Sequence, residues 1–445
     1  MRILKLVGTL AIWMIGAVCT VAAIDSNDPV LTALRGPGNA ALSAASFAVV
    51  AVLIRRGHVG SLIGKLLVLL WILPPFALLG AQLLFEAGKR EVLRTEPALA
   101  RSLGRHFVVG YTSFDEVADL AEKGLIGGVY VARHNVAGRT AAAVKAELAA
   151  LQARRRAAGL PPLIVAADQE GGIVAHLAPP LTALPALATL VGLPPDLRQR
   201  RAEAFGRIHG RELAELGVNL NFAPVLDLKP AAGHNLFDHN TLIGQRAIAD
   251  DPAVVGEIAR AYVHGLESAG VGATLKHFPG LGRVRSDTHL FDASLDAPVE
   301  VLQAADWRPF REVLAASNAA VMVGHVSMPA IDPGRPASHS KRVIDGILRK
   351  EWGYQGLVIT DDLVMGAIYQ HDVCTAVVEA LDAGADLLLV AFDGAQFYRI
   401  FTCAADAAAQ GRLDQATLQL SDARLQQRIS SQPASPRVAA QRAGD

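Results

Sequence analysis

The segment from Thr274 to His289 concentrates residues able to do chemistry. Lys276 and His277 close a short run of strand-type residues, and a Gly/Pro-rich loop follows that ends in Asp287-Thr-His289. An Asp-x-His pair can set a carboxylate against an imidazole, orienting the ring and keeping its proton affinity high enough for acid/base work. Alone, such a pair is more often an ordinary polar loop, so its company decides. Four further clusters stand where β-branched runs give way to loops. They are Asp168-Gln-Glu-Gly-Gly172, Pro224-Val-Leu-Asp227 with Arg246 further along, His325, and Asp361-Asp362. Ionisable groups at the exits of five separate runs point to an active site.

The elements that position these groups follow from periodicity. Short β-branched runs predict strands over 106–111, 128–132, 163–167, 218–223, 272–275, 320–324, 357–360 and 386–391. Helical periodicity lies between them, over 115–123, 141–158, 197–216, 252–269, 301–316, 341–351 and 375–383. Eight βα units of this kind predict an α/β fold, a (β/α)8 TIM-type barrel, with a doubly wound open sheet as the alternative. In such a barrel reactive groups collect where strands end, which is where the five clusters fall.

The 445 residues carry no net charge, which argues against nucleic acid as a partner. Mean hydropathy is +0.31, and the apolar excess lies in the first 85 or so residues. Residues 6–24 and 66–85 are uncharged apolar runs of bilayer length, and 39–54 is a shorter third run. Residues 1–88 are therefore expected to form a membrane region with two to three transmembrane helices, the first of which could instead be a cleaved signal peptide. Pro74-Pro75 would kink the last. With three spans, Arg2, Lys5, Arg55, Arg56 and Lys65 share one side, which puts the N-terminus in the cytoplasm and the large domain outside it. Lys89, Arg90 and Arg94 pull the other way. The barrel is expected over 98–429 and a disordered tail over 430–445. Cys19, Cys374 and Cys403 make no disulfide framework, and the last two read as buried thiols rather than a bridge. The histidines lack zinc-type spacing, so no metal and no cofactor is expected.

Taken together, Asp-Gln-Glu-Gly-Gly (168–172), Asn-Phe-Ala-Pro-Val-Leu-Asp (221–227), Ile-Gly-Gln-Arg (243–246), Lys-His-Phe-Pro-Gly (276–280), Asp-Thr-His (287–289), Gly-His-Val (324–326) and Ile-Thr-Asp-Asp-Leu-Val-Met-Gly-Ala (359–367) resemble glycoside hydrolase family 3. Within it they resemble the single-domain β-N-acetylhexosaminidase branch. The likeness runs from about Arg105 to Gly411 and leaves out the membrane segments.

The resemblance implies roles. Asp361 matches the nucleophile, which attacks the anomeric carbon and must stay ionised among hydrogen-bond donors. Asp362 fits a helix N-cap better. His289 matches the general acid/base, with Asp287 as its orienting partner. Asp168, Arg246, Lys276 and His277 match sugar-binding positions, where a carboxylate and opposed cations suit a ring of hydroxyls. His325 lines the same rim or packs beneath it. The family usually has an arginine where His176 stands in the sugar site, and Pro279-Gly-Leu-Gly-Arg-Val284 replaces its usual Pro-Gly-His-Gly-Asp-Thr. These departures bear on substrate and loop docking more than on the chemistry.

The implied activity is that of a membrane-anchored retaining β-N-acetylhexosaminidase. Its substrate would be terminal β-linked N-acetylglucosamine of cell-wall fragments or chitooligosaccharides. Its expected place is the bacterial cytoplasmic membrane, with the catalytic domain on the extracytoplasmic side. A β-glycosidase for an unsubstituted sugar and a catalytically weak membrane-held carbohydrate-binding protein are the alternatives.

Overall fold

A computed structural model describes residues 2–230, 241–285, 287 and 293–431. The chain divides into two compact units, residues 1–94 and 95–445.

The first unit contains three long helices, α1 (Arg2–Ile24), α2 (Pro37–Arg55) and α3 (Leu62–Leu93). All three are long and apolar enough to cross a membrane, with mean hydropathies of 2.1, 1.7 and 2.2. Pro74 and Pro75 lie inside α3 without ending it. Leu53, Leu67, Val68 and Trp71 form the shared core. A Cβ on Gly16 would come within 2.9 Å of Leu70, so this glycine permits close helix contact. Among the described residues, every exposed large apolar side chain lies in this unit except Ile173, Val301, Phe392 and Leu420. Arg35 secures the turn between α1 and α2 by donating to the carbonyls of Ser26, Asn27 and Asp28.

The second unit is built on a closed, all-parallel eight-stranded barrel. Its strands are β1 (Phe107–Gly110), β2 (Gly128–Tyr130), β3 (Ile164–Ala167), β4 (Leu220–Asn221), β5 (Gly272–Phe278), β6 (Ala320–Val323), β7 (Val358–Asp362) and β8 (Leu387–Val390). Each pairs with its neighbours in sequence, and β1 pairs with β8 to close the ring. The eight strand expectations therefore hold, with ends moved by a few residues. Val108, Tyr130, Ile164, Ala166, Leu220, Met322, Ile359 and Leu389 fill the interior. Leu425, from the helix Gln415–Ser431, joins the same core. That helix is also held through Asp386, whose carboxylate accepts from Arg424 (2.8 Å), Ser421 (2.8 Å), Arg349 (2.6 Å) and the Val358 N–H (2.7 Å). A buried charge with four donors is compensated rather than stranded.

Three expectations are corrected, and two elements are added. The helix expected over 301–316 is two, Val299–Ala304 and Arg308–Leu314, because Pro309 cannot continue the ladder and opens the second. Short hairpins, Gln169–Gly171 with Val174–Ala175 and Ser327–Met328 with Asp332–Pro336, decorate the rim unannounced by periodicity. Cys374 and Cys403 form a disulfide, their Cα atoms 5.0 Å apart, rather than two buried thiols. They sit on the helices that follow β7 and β8, which pack side by side, and no feature of the linear order reveals that. The last helix runs to Ser431, past the point where the tail was expected to begin, and 432–445 lie outside the described residues.

Candidate active site

The end of β3 delivers Asp168, and the following hairpin returns the chain over the barrel mouth. Gly171 (φ +94°) and Gly172 (φ +64°) make the turn, and a Cβ on Gly171 would lie 2.5 Å from the Pro185 carbonyl oxygen. Only glycine accepts both the left-handed backbone and that approach. Asn221 at the end of β4 anchors the hairpin, its amide bonding both the N–H and the carbonyl of Gln169.

Lys276, buried near the end of β5, joins two carboxylates. Its ammonium contacts Asp168 and lies 2.6 Å from Glu170 Oε1. Glu170 also takes a two-pronged bond from Arg246, Nε to Oε2 at 3.1 Å and Nη2 to Oε1 at 2.7 Å. Burial alone would raise the pKa of both carboxyls. Lys276 outweighs it at Asp168, and Arg246 with Lys276 outweighs it at Glu170, so both are held below the usual carboxylate range. Burial would lower the Arg246 pKa, but Glu170 reverses that and holds the guanidinium firmly charged.

His277 is set by Asp227. The carboxylate accepts from His277 Nδ1 at 2.6 Å, from the His277 N–H at 3.1 Å and from the Leu281 N–H at 2.6 Å. On the other side, Tyr130 donates to Asp168 Oδ2 at 2.8 Å and stands 3.0 Å from His176 Nδ1. Burial lowers the pKa of His176, more than the neighbouring carboxylates raise it. Because the Tyr130 proton goes to Asp168, the Tyr130–His176 contact is satisfied when Nδ1 carries the hydrogen.

Asp361 and Asp362 end β7. Asp361 is half-buried and its Oδ1 accepts the Asp362 N–H at 2.9 Å. Asp362 is not the helix N-cap expected of it, a position that Met365 fills. Its carboxylate accepts from the N–H groups of Val364 (3.1 Å), Ala391 (3.0 Å) and Phe392 (2.7 Å), tying the β7 exit to the β8 exit. Burial nonetheless pushes its pKa up to about 6. His325 is buried behind this strand, Nε2 bonding the Asp362 carbonyl at 2.9 Å and Nδ1 the Ser338 hydroxyl at 2.7 Å. Both nitrogens being so engaged, it braces the strand beside Asp361 and offers neither to a ligand.

Asp287 is fully buried and accepts from the Thr241 hydroxyl at 3.1 Å. His289 lies outside the described residues. Arg283, which reverses a charge of the usual motif, donates at 2.7 Å to buried Asp306.

The structure thus joins Asp168, Arg246, Lys276, His277 and His176 in one polar cluster, and it adds Glu170, Asp227, Tyr130 and Thr241. Glu170 was within reach of sequence reasoning, since residues two apart on an extended segment share a face and Asp168 was already named. Tyr130 stands at a strand end, the position that flagged the others. Thr241 has no such signal. A cavity of about 950 Å³ opens elsewhere, where β6 and β7 begin, lined by Arg311, Trp352, Tyr354, Arg424 and Arg428 among others. None of the cluster residues lines it, and barrel chemistry belongs to the strand exits.

Comparison with known proteins fits this geometry. The "Glycosyl hydrolase family 3 N terminal domain" profile matches residues 100–428. The "Beta-hexosaminidase" of Xanthomonas axonopodis pv. citri is 39% identical over 276 residues, covering 61% of this chain and 78% of the relative. A family 3 β-N-acetylglucosaminidase structure from Paenibacillus sp. is 32% identical with a TM-score of 0.68 over 76% of this chain, which spans 63% of that larger chain. A family 3 glycosyl hydrolase structure from Mycobacterium smegmatis is 33% identical with a TM-score of 0.66, covering 77% of this chain and 99% of that one. With the barrel, the rim of paired carboxylates and cations and the match across it, the chain belongs to glycosyl hydrolase family 3 and is a glycoside hydrolase.

Proposed function

We propose that the protein is a membrane-anchored, retaining β-N-acetylglucosaminidase acting on terminal β-linked N-acetylglucosamine of cell-wall fragments or chitooligosaccharides. The observation that carries this reading is the cluster Asp168–Lys276–Glu170–Arg246 at the strand exits, shared with the Asp361 end of β7. It supplies a fixed carboxylate and two cations for sugar hydroxyls, at the same rim as the half-buried Asp361 carboxylate. The "Beta-hexosaminidase" relatives support the acetamido sugar.

In the first step Asp361 attacks the anomeric carbon and the glycosidic C–O bond breaks, while His289, steered by Asp287, protonates the departing oxygen. In the second, neutral His289 takes a proton from water. The water oxygen bonds the anomeric carbon and Asp361 leaves, so configuration is retained.

Three helices of bilayer length support anchoring. Two independent features support an extracytoplasmic barrel in a bacterial cytoplasmic membrane. They are the Lys/Arg bias around the spans and the Cys374–Cys403 disulfide, since such bridges persist in oxidising compartments. Turnover of a panel of aryl β-glycosides by the full-length protein tests the reading. Preferred cleavage of the N-acetylglucosaminide, with β-configured first product and a 2-fluoro-sugar adduct on Asp361, is expected. Preference for the glucoside or xyloside would reassign the substrate, and neither turnover nor adduct would leave a carbohydrate-binding protein.

A further inference from the structure

We propose that Thr241 is a positioning residue that ties the sugar-holding arginine to the carboxylate of the acid/base pair. Two bonds leave this one buried residue in different directions. Its carbonyl accepts from Arg246 Nη1 at 2.9 Å, and its hydroxyl donates to Asp287 Oδ1 at 3.1 Å. Arg246 continues through Glu170 to Lys276 and Asp168. One connected set of polar groups therefore runs from the pocket to the partner of the acid/base.

The local backbone is shaped for this double contact. Leu242 is held in the left-handed region (φ 47°, ψ 34°), which a branched side chain adopts only at a cost. The turn is closed by the N–H groups of Gln245 and Arg246, both donating to the Leu242 carbonyl at 2.9 and 3.2 Å. It leads into the single-turn helix Ile243–Arg246, which brings the arginine back over the carbonyl of residue 241. Asp287 has no exposed surface, so its oxygens need protein donors, and the Thr241 hydroxyl is one that bonds and orients Oδ1. An imidazole steered by that carboxylate inherits its orientation.

The inference rests on the reading above, in which Asp287 serves His289. Thr241→Val removes the hydroxyl but keeps the shape and the carbonyl, and Thr241→Ser restores the donor. Both are compared with wild type and His289→Ala, as full-length proteins, on aryl N-acetylglucosaminides with good and poor leaving groups. For Thr241→Val, kcat/KM on the poor leaving group is expected to fall about tenfold. On the activated one it stays within about twofold of wild type, since loss of one oriented proton donor matters only where protonation is needed. Thr241→Ser should recover most of the loss. An equal fall on both substrates would mark a merely structural role and overturn the proposal, as would no fall at all. If His289→Ala shows the leaving-group-dependent loss and Thr241→Val does not, this inference alone fails. If His289→Ala shows none, the acid/base reading fails with it.

Discussion

Lys276 and Glu170 meet at 2.6 Å, both buried, although they come from the exits of different barrel strands. Glu170 in turn holds Arg246, so one carboxylate bridges two cations of the rim, and Asp168 on Lys276 balances the second charge. Glu170→Gln would take Arg246's carboxylate partner away in a dry site and leave Lys276 with Asp168 alone, and breaking such a buried pair typically costs about 3–5 kcal/mol. The variant should unfold at lower temperature in a thermal melt and raise KM more than it lowers kcat. Unchanged stability and KM would show that the two cations do not need Glu170.

Asp361→Ala should abolish turnover and the 2-fluoro-sugar adduct, because the adjacent carboxylate is not placed to replace it. Asp362 is committed to three backbone N–H groups. Mass spectrometry of the trapped enzyme locates the adduct, and label on any other residue would move the nucleophile.

His289→Ala should cost about 10² to 10⁴ in rate on substrates with poor leaving groups. Steady-state kinetics on such a substrate checks this, and wild-type cleavage by the variant would remove His289 from the mechanism.

Asp362 gives a pH signature. Burial raises its pKa to about 6 in the folded protein, against about 3.9 for a free aspartate. Between those values the native state holds a proton the unfolded chain has released, so stability falls as pH rises through this window and levels off above it. The contribution is on the order of 3 kcal/mol at most. Melting temperatures of wild type and Asp362→Asn, compared from pH 4 to pH 7, should show wild type losing ground to the variant as pH rises. A constant difference would mean that Asp362 titrates like an exposed carboxyl.

Cys374 and Cys403 should yield no free thiol until reduced, leaving Cys19 as the one reactive cysteine of the denatured, unreduced protein. Closing a loop whose ends are 29 positions apart stabilises by about 3.6 kcal/mol in the chain-entropy account. The double serine variant should melt several degrees lower. Three thiols before reduction would dismiss the bridge and, with it, one support for the extracytoplasmic placement.

Much of the molecule was written locally. The apolar runs around Leu6–Ile24 and Leu66–Phe85 needed only length and charge to be recognised, and the β-branched runs at Phe107, Val129, Ile164 and Val358 alternate with helical periodicity that short-range sterics impose. The positions of Asp168, Arg246, Lys276, His277 and Asp361 near strand exits followed from the same rhythm. Pro309 splitting a helix was equally present in the sequence, but the apolar period running through it masked the break.

What tertiary structure alone decided is pairing. Which carboxylate meets Lys276, which strand Asp362 clamps, that His325 turns to a backbone carbonyl, that Thr241 reaches Asp287 and that Cys374 finds Cys403 all depend on distances between segments far apart in the chain. Closing the barrel sets those distances. Composition and periodicity carry information about neighbours within a few residues, and barrel closure brings Asp168 to Lys276 through contacts that no local pattern encodes.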